Sequence, residues 1–211
     1  MIDLNEFEFI DFGCGNGGSS ILASSRFGGK GFGIDIDQTK LKEGIAKGQT
    51  CVYGDILNFE FPEKCVRYAV SYHVLEHLPN ISAVTKALQK MVTTAKEFVH
   101  ILIPYFDADE YLATLGYTMC WSTWHGHPMR INSEYFKAVL PYMGVKNFTI
   151  SGVTNGVFKP EIVDTTHRVI YPISAGKDCL CDGYKEEKYG KKEFIIFDRP
   201  VHAETEVKIY L

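Results

Sequence analysis

Apolar positions fall in short dense runs, separated by polar stretches with helical spacing. Residues 7–12 (FEFIDF) read as a buried strand that ends in a glycine cluster. Residues 19–26 read as a helix closed by Gly28 and Gly29, 31–36 (GFGIDI) as a second strand and 38–46 as a second helix. Short strands follow at 50–53 and 66–71. Asn80 is placed to cap a helix running to about residue 95, with apolar side chains at 81, 84, 88, 91 and 92. Residues 97–103 (EFVHILI) form the fifth strand. Strands that are nearly continuous in apolar residues and alternate with helices predict an α/β domain around a mostly parallel sheet.

The rhythm breaks at residues 104–130, an aromatic-rich segment. It resumes with a helix at 133–140, ended by Pro141 and Gly144, and a strand at 146–153. From 154 onward the pattern predicts strands without helices, at 168–173, 193–198 and 206–211, with a solvated turn at 185–192. A chain of 211 residues fits one domain. Its core is expected at 7–103 and 131–153, with 104–130 as a substrate lid and 154–211 as C-terminal strands and a substrate-side insertion. The net charge of −4 argues against nucleic acid as the acceptor or as a bulk partner. The longest apolar stretch, 98–106, holds His100 and Pro104 and is too short to span a bilayer, so no membrane partner is expected. The first ten residues carry acids rather than a basic leader. The six cysteines at 14, 51, 65, 120, 179 and 181 show no C-x-x-C spacing, which fits a reduced, cytoplasmic protein. The sequence sets no oligomeric state.

The densest chemistry is Asp11-Phe-Gly13-Cys14-Gly15-Asn-Gly17-Gly18, between the first strand and the first helix. Glycines there let the backbone turn tightly and approach a ligand with no Cβ in the way, and the following helix points its N–H groups at the same place. Gly13, Gly15 and Gly18 also satisfy the G-x-G-x-x-G dinucleotide spacing. Asp35 ends the second strand, where a carboxylate can accept both ribose hydroxyls. Asp55 ends the third, where it can accept from an adenine amine while Ile56 packs on the ring. Asp11 lies near the expected place of a ligand ammonium. Acids at three consecutive strand ends suit a ligand with a cationic amino-acid tail, a ribose and an adenine better than a pyrophosphate. Asp37 reads as a helix cap.

DFGCGNG, GFGIDID, YGDI and AVSYHVLEHLP resemble the successive motifs of the class I S-adenosylmethionine-dependent methyltransferases, in particular a small-molecule group marked by V-L-E-H-L. The resemblance covers residues 7–103 well and 131–153 loosely. It implies a Rossmann-like α/β fold with a seven-stranded sheet whose last strand is antiparallel and helices on both faces. It implies that Asp11, Gly13, Cys14, Gly15 and Gly17 face the methionine part of S-adenosylmethionine, and that Asp35 and Ile36 hold ribose and adenine. Asp55 and Ile56 would hold adenine, and Ser71 and Tyr72 border the sulfonium. About six residues precede the first strand, so substrate recognition is expected from 104–130 and the C-terminal region.

His73-Val-Leu-Glu76-His77 has H-x-x-E-H spacing, but Pro79 excludes the continuous helix that an inverted zinc-protease motif needs. Some methyltransferases of this superfamily bind a divalent metal through E-x-x-E-H at this spot. Here His73 replaces the first Glu, and Glu76 and His77 with His125 or His127 would complete a set. V-L-E-H-L is widespread in the family without a metal, so no metal ligand is assigned. His73, His77 and His127 are the candidate general bases for an acceptor hydroxyl. Trp121, Trp124, His125 and Arg130 are expected to face the substrate, with Arg130 placed for a carboxylate or phosphate. His100, inside the fifth strand, reads as structural. The expected function is methyl transfer from S-adenosylmethionine to a small polar acceptor, at oxygen rather than nitrogen. The competing readings are an NAD-dependent oxidoreductase and a non-catalytic S-adenosylmethionine-binding protein.

Overall fold

The computed structural model describes residues 4–153, 162–164, 170–175 and 194–211. In chain order the first half contains β1 (Phe9–Phe12), α1 (Gly18–Phe27), β2 (Gly31–Asp35), α2 (Gln38–Ala46), β3 (Thr50–Tyr53), β4 (Val66–Tyr72), α3 (Ile81–Thr94) and β5 (Ala95–Pro104). The second half adds α4 (Asp109–Thr114), β6 (Tyr117–Met119), α5 (Cys120–Thr123), α6 (Ser133–Tyr142), β7 (Asn147–Val153), β8 (Ile162–Asp164), β9 (Ile170–Pro172), β10 (Phe194–Ile196) and β11 (Glu204–Tyr210). The main sheet has seven strands in the order β3-β2-β1-β4-β5-β11-β7. Its first five strands are parallel, and β11 runs antiparallel to both β5 and β7. This is the mostly parallel sheet that the alternation of strands and helices predicts, with the seven strands and antiparallel last strand that the resemblance implies. The strand order turns back at β1 and β4, which opens a crevice at the carboxyl ends of the strands.

Side chains of β1 alternate between the two faces. Ile10 and Phe12 enter the larger core with Val84, Leu88 and Met91 of α3, all three fully buried. A buried Leu or Met contributes about 1.5–3 kcal/mol. Asn80 starts α3 by accepting the Ala83 N–H at 2.9 Å, as its sequence position predicts. On the opposite face Phe9, Tyr68 and Phe98 stack with ring centroids 4.8 Å apart at each step, beneath α1. His100 sits among them. Its Nε2–H donates to Glu206 of β11 and its Nδ1 accepts the Tyr72 hydroxyl, each at 2.8 Å. Burial lowers its pKa against the pull of Glu206, so the ring is a neutral brace between β4 and β11. It is structural, as its place inside a strand suggests.

Residues 104–130, expected as a substrate lid, fold into α4, β6 and α5 around a second apolar cluster of Leu112, Met119, Ile170, Phe197 and Val201. Two sequence expectations are corrected. Pro141 does not stop the helix at 140. It sits inside the last turn of α6, and Gly144, at φ 83°, ends it. The C-terminal strand starts earlier, at Glu204. The turn expected at 185–192 lies outside the described residues, as do residues 168, 169 and 193 of the expected strands. Among the described residues no helix is long and apolar enough to cross a membrane.

Candidate active site

The glycine loop after β1 uses three left-handed backbone positions in succession, Gly13 at φ 88°, Gly15 at φ 51° and Gly17 at φ 83°. Gly13 and Cys14 both donate to the Ile34 carbonyl, at 2.8 and 3.1 Å, and Gly17 donates to the Cys14 carbonyl at 2.8 Å. These bonds pull the loop flat against β2. The Gly15 N–H donates to Asp35 Oδ2 at 2.7 Å, and Asp35 Oδ1 accepts from the Asp37 N–H at 2.8 Å. Two main-chain groups thus fix the carboxylate that closes β2. Asp37 caps α2, accepting from the Thr39 and Lys40 N–H groups, as its spacing suggests.

These elements border a cleft of about 760 Å³, lined by Gly13, Cys14, Gly15, Asp35, Ile36, Asp55, Ile56 and Tyr72 among the residues expected to hold a cofactor. A cleft of this volume suits a ligand of cofactor size. Ile36 is 67% exposed, an apolar surface at the rim with nothing of the protein laid on it. Asp55 keeps its carboxylate at the rim through the Leu57 N–H and the Asn58 amide. The glycine loop and two acid–isoleucine pairs, Asp35–Ile36 at the rim and Asp55 with the buried Ile56, therefore share one cavity.

Asp11, Gly17 and Ser71 do not line it. Asp11 is fully buried beneath the loop, and both Ser19 and Ser20 donate to its Oδ2 at 2.6 Å. Its other oxygen has no hydrogen-bond partner, and burial lifts its pKa to about 6. Asp11 thus shapes the loop from below. Gly17 is the residue that precedes α1. Ser71 is buried and donates to the Phe12 carbonyl at 3.1 Å, joining β1 to β4. Burial also pushes the Cys14 thiol up, so Cys14 packs as an uncharged side chain against Leu41 and Cys51.

The far wall is the turn after β4. His73 takes a left-handed backbone, φ 56°, and donates its N–H to the Leu102 carbonyl. Its Nε2 meets Glu204 Oε1 at 2.7 Å and its Nδ1 lies 3.5 Å from Glu76. Burial alone would lower its pKa, but the two carboxylates outweigh it and raise it to about 9. His73 thus stands between two carboxylates, and the pull that raises its pKa weighs against the expected role as a general base. Glu204, which lines the cleft, carried no local signal: it comes from β11, 131 residues further on.

His77 also lines the cleft. Its Nδ1 donates to the Gly126 carbonyl at 2.7 Å. His127 stands behind it, ring centroids 4.7 Å apart, with its own Nδ1 donating to the Trp121 carbonyl at 3.0 Å. Burial lowers the pKa of His127. Trp124 packs edge to face on both rings. The remaining residues expected at the substrate do not border the cleft. Trp121 donates its indole N–H to the Tyr105 carbonyl and packs on the second apolar cluster. His125 and Arg130 point to solvent, Arg130 in the field of Asp109. The loop's aromatic density thus reflects core-making by Trp121 and bracing by Trp124.

A family model described as a methyltransferase domain matches residues 9–97. Ajmaline N-methyltransferase of Rauvolfia serpentina is 28% identical over 102 residues, 44% of this chain and 34% of that enzyme. The chain therefore matches about a third of that relative's length. Among solved structures, a SAM-dependent methyltransferase from Archaeoglobus fulgidus superposes with a TM-score of 0.64 at 18% identity, covering 96% of this chain and 85% of that one. Phosphoethanolamine N-methyltransferase 2 of Haemonchus contortus, in complex with S-adenosyl-L-methionine, superposes with a TM-score of 0.52 at 17% identity, covering 69% and 34%.

Proposed function

We propose that this chain, which carries a class I methyltransferase domain, transfers a methyl group from S-adenosylmethionine to an oxygen atom of a small polar acceptor. The observation that carries the reading is the shared cleft of glycine loop, Asp35–Ile36 and Asp55–Ile56 at three successive strand ends. Asp35 and Asp55 are hydrogen-bond acceptors for ribose hydroxyls and an adenine amine, and Ile36 and Ile56 are the apolar faces for the purine. The same acids would repel a pyrophosphate, which disfavours NAD.

S-adenosylmethionine supplies a methyl group already activated on a positively charged sulfur. The protein's task is then alignment, exclusion of water and handling of one proton. The glycine loop holds the donor's tail, and the turn at residues 73–77 faces it across the cleft. His77 supplies the proton acceptor, because its Nδ1 is fixed by a carbonyl and the lone pair therefore rests on Nε2. That lone pair can take the proton that an acceptor hydroxyl must lose. The names of the ajmaline and phosphoethanolamine enzymes support a small acceptor and point to nitrogen in those proteins.

Titration calorimetry is expected to show binding of S-adenosylhomocysteine and none of NAD at millimolar concentration; tighter binding of NAD would overturn the donor assignment. Incubation with methyl-labelled donor and mixed pools of small alcohols, phenols and amines is expected to label hydroxyl compounds. Label confined to amines would overturn the oxygen assignment alone.

A further inference from the structure

We propose that Glu76, His77 and His127 form a binding site for one divalent transition cation at the mouth of the cleft. One ligating atom of each residue lies within 4.8 Å of the others. Glu76 is fully buried, and neither carboxylate oxygen has a hydrogen-bond partner. His73 Nδ1 approaches it only to 3.5 Å, beyond hydrogen-bond length, while the other ring nitrogen of His73 faces Glu204 at 2.7 Å. A buried carboxylate without donors is costly unless a cation satisfies it.

The two histidines are prepared for such a cation. A carbonyl only accepts, so the Nδ1 atoms held by Gly126 and Trp121 carry the ring protons. Both lone pairs then rest on Nε2. A ligating imidazole whose other N–H donates to a main-chain carbonyl is the arrangement that orients histidines at metal centres. Two imidazoles and one carboxylate suit zinc, cobalt or manganese better than magnesium, which prefers oxygen. Three protein ligands leave a coordination position open, and His77 places it beside the cleft.

The assignment deepens the methyltransferase reading and rests on it for its role. An acceptor hydroxyl on the open position would become acidic and pass its proton to water, His77 then serving as ligand rather than base. A new O–C bond forms, and the C–S bond of the donor breaks with its electron pair staying on sulfur.

The test uses protein dialysed against chelator and then titrated with Zn²⁺ by calorimetry and with Co²⁺ by visible absorption. One equivalent is expected to bind, with Co²⁺ developing the bands of an imidazole-ligated site. E76Q and H127Q are each expected to weaken binding at least about tenfold, and H125A, at the exposed neighbour, to leave it unchanged. Two substitutions are used because Glu76 is buried; His127 is only half-buried, and circular dichroism verifies that each variant is folded. Absence of binding, or binding unchanged in both E76Q and H127Q, overturns the site. S-adenosylhomocysteine affinity is measured on the same preparations: its loss with the cation retained would sink the methyltransferase reading and leave the metal site standing.

Discussion

The carboxylate of Asp35 accepts the main-chain N–H of Gly15 at 2.7 Å, so the end of β2 and the turn after β1 are one unit although twenty residues separate them. A residue expected to meet a ribose is thus also an internal brace. Its second oxygen is committed to the Asp37 N–H.

Replacing Asp35 by Ala should therefore act on both stability and binding. Each lost hydrogen bond to a charged acceptor is worth about 1.5–3 kcal/mol, less where water substitutes. The ligand-free protein is expected to lose about 1–3 kcal/mol in denaturant unfolding. S-adenosylhomocysteine affinity should fall at least about tenfold by calorimetry. Unchanged affinity would move the ribose contact away from Asp35.

Gly33, in the middle of β2, lies against the loop from below. A Cβ there would sit 2.5 Å from the Cys14 sulfur and 2.7 Å from its Cβ. Gly33→Ala is expected to cost about 1–3 kcal/mol by overpacking and to weaken S-adenosylhomocysteine binding by displacing the loop. The double variant Gly33→Ala with Cys14→Ala should regain part of both. If the double variant is no better than Gly33→Ala alone, the overlap with the Cys14 sulfur is not the cause.

Asp11 gives stability a pH dependence of unusual sign. Its folded pKa, about 6, is raised from 3.8 chiefly by burial, so the folded state holds this proton more firmly than the unfolded chain. The contribution is present in full below about pH 4 and is lost as pH rises through about 6. Two pKa units correspond to about 3 kcal/mol. Asp11→Asn removes this titration. Unfolding free energies of the ligand-free protein at pH 5 and pH 7.5 should show the wild type gaining stability, relative to the variant, at the lower pH. Parallel changes in both proteins would assign the effect to other groups.

Asn80, Asp37 and the glycine loop show how much of the protein is legible locally. A cap acts on N–H groups two or three residues away, and a left-handed turn needs glycine at a particular place in the chain. The same is true of the alternating faces of β1, whose period of two is a property of the strand alone. The order of elements and the acids and glycines that line the cleft were readable because each lies at the end of a strand that its own apolar run defines. What the sequence left open was decided by partners distant along the chain. Which groups surround His73 depends on Glu204, delivered by the last strand only once β11 has inserted between β5 and β7. Whether His125 or His127 joins Glu76 and His77 depends on how the second apolar cluster folds residues 104–130, which turns one ring inward and the other to solvent. That Trp121 and Arg130 lie away from the cleft was not legible for the same reason, since an aromatic or a cation in a loop has the same composition whether it faces a ligand, a core or water. Local sequence sets backbone conformation through contacts between near neighbours. The charge state of a side chain and the direction it faces are set by the dielectric and the groups that packing brings around it.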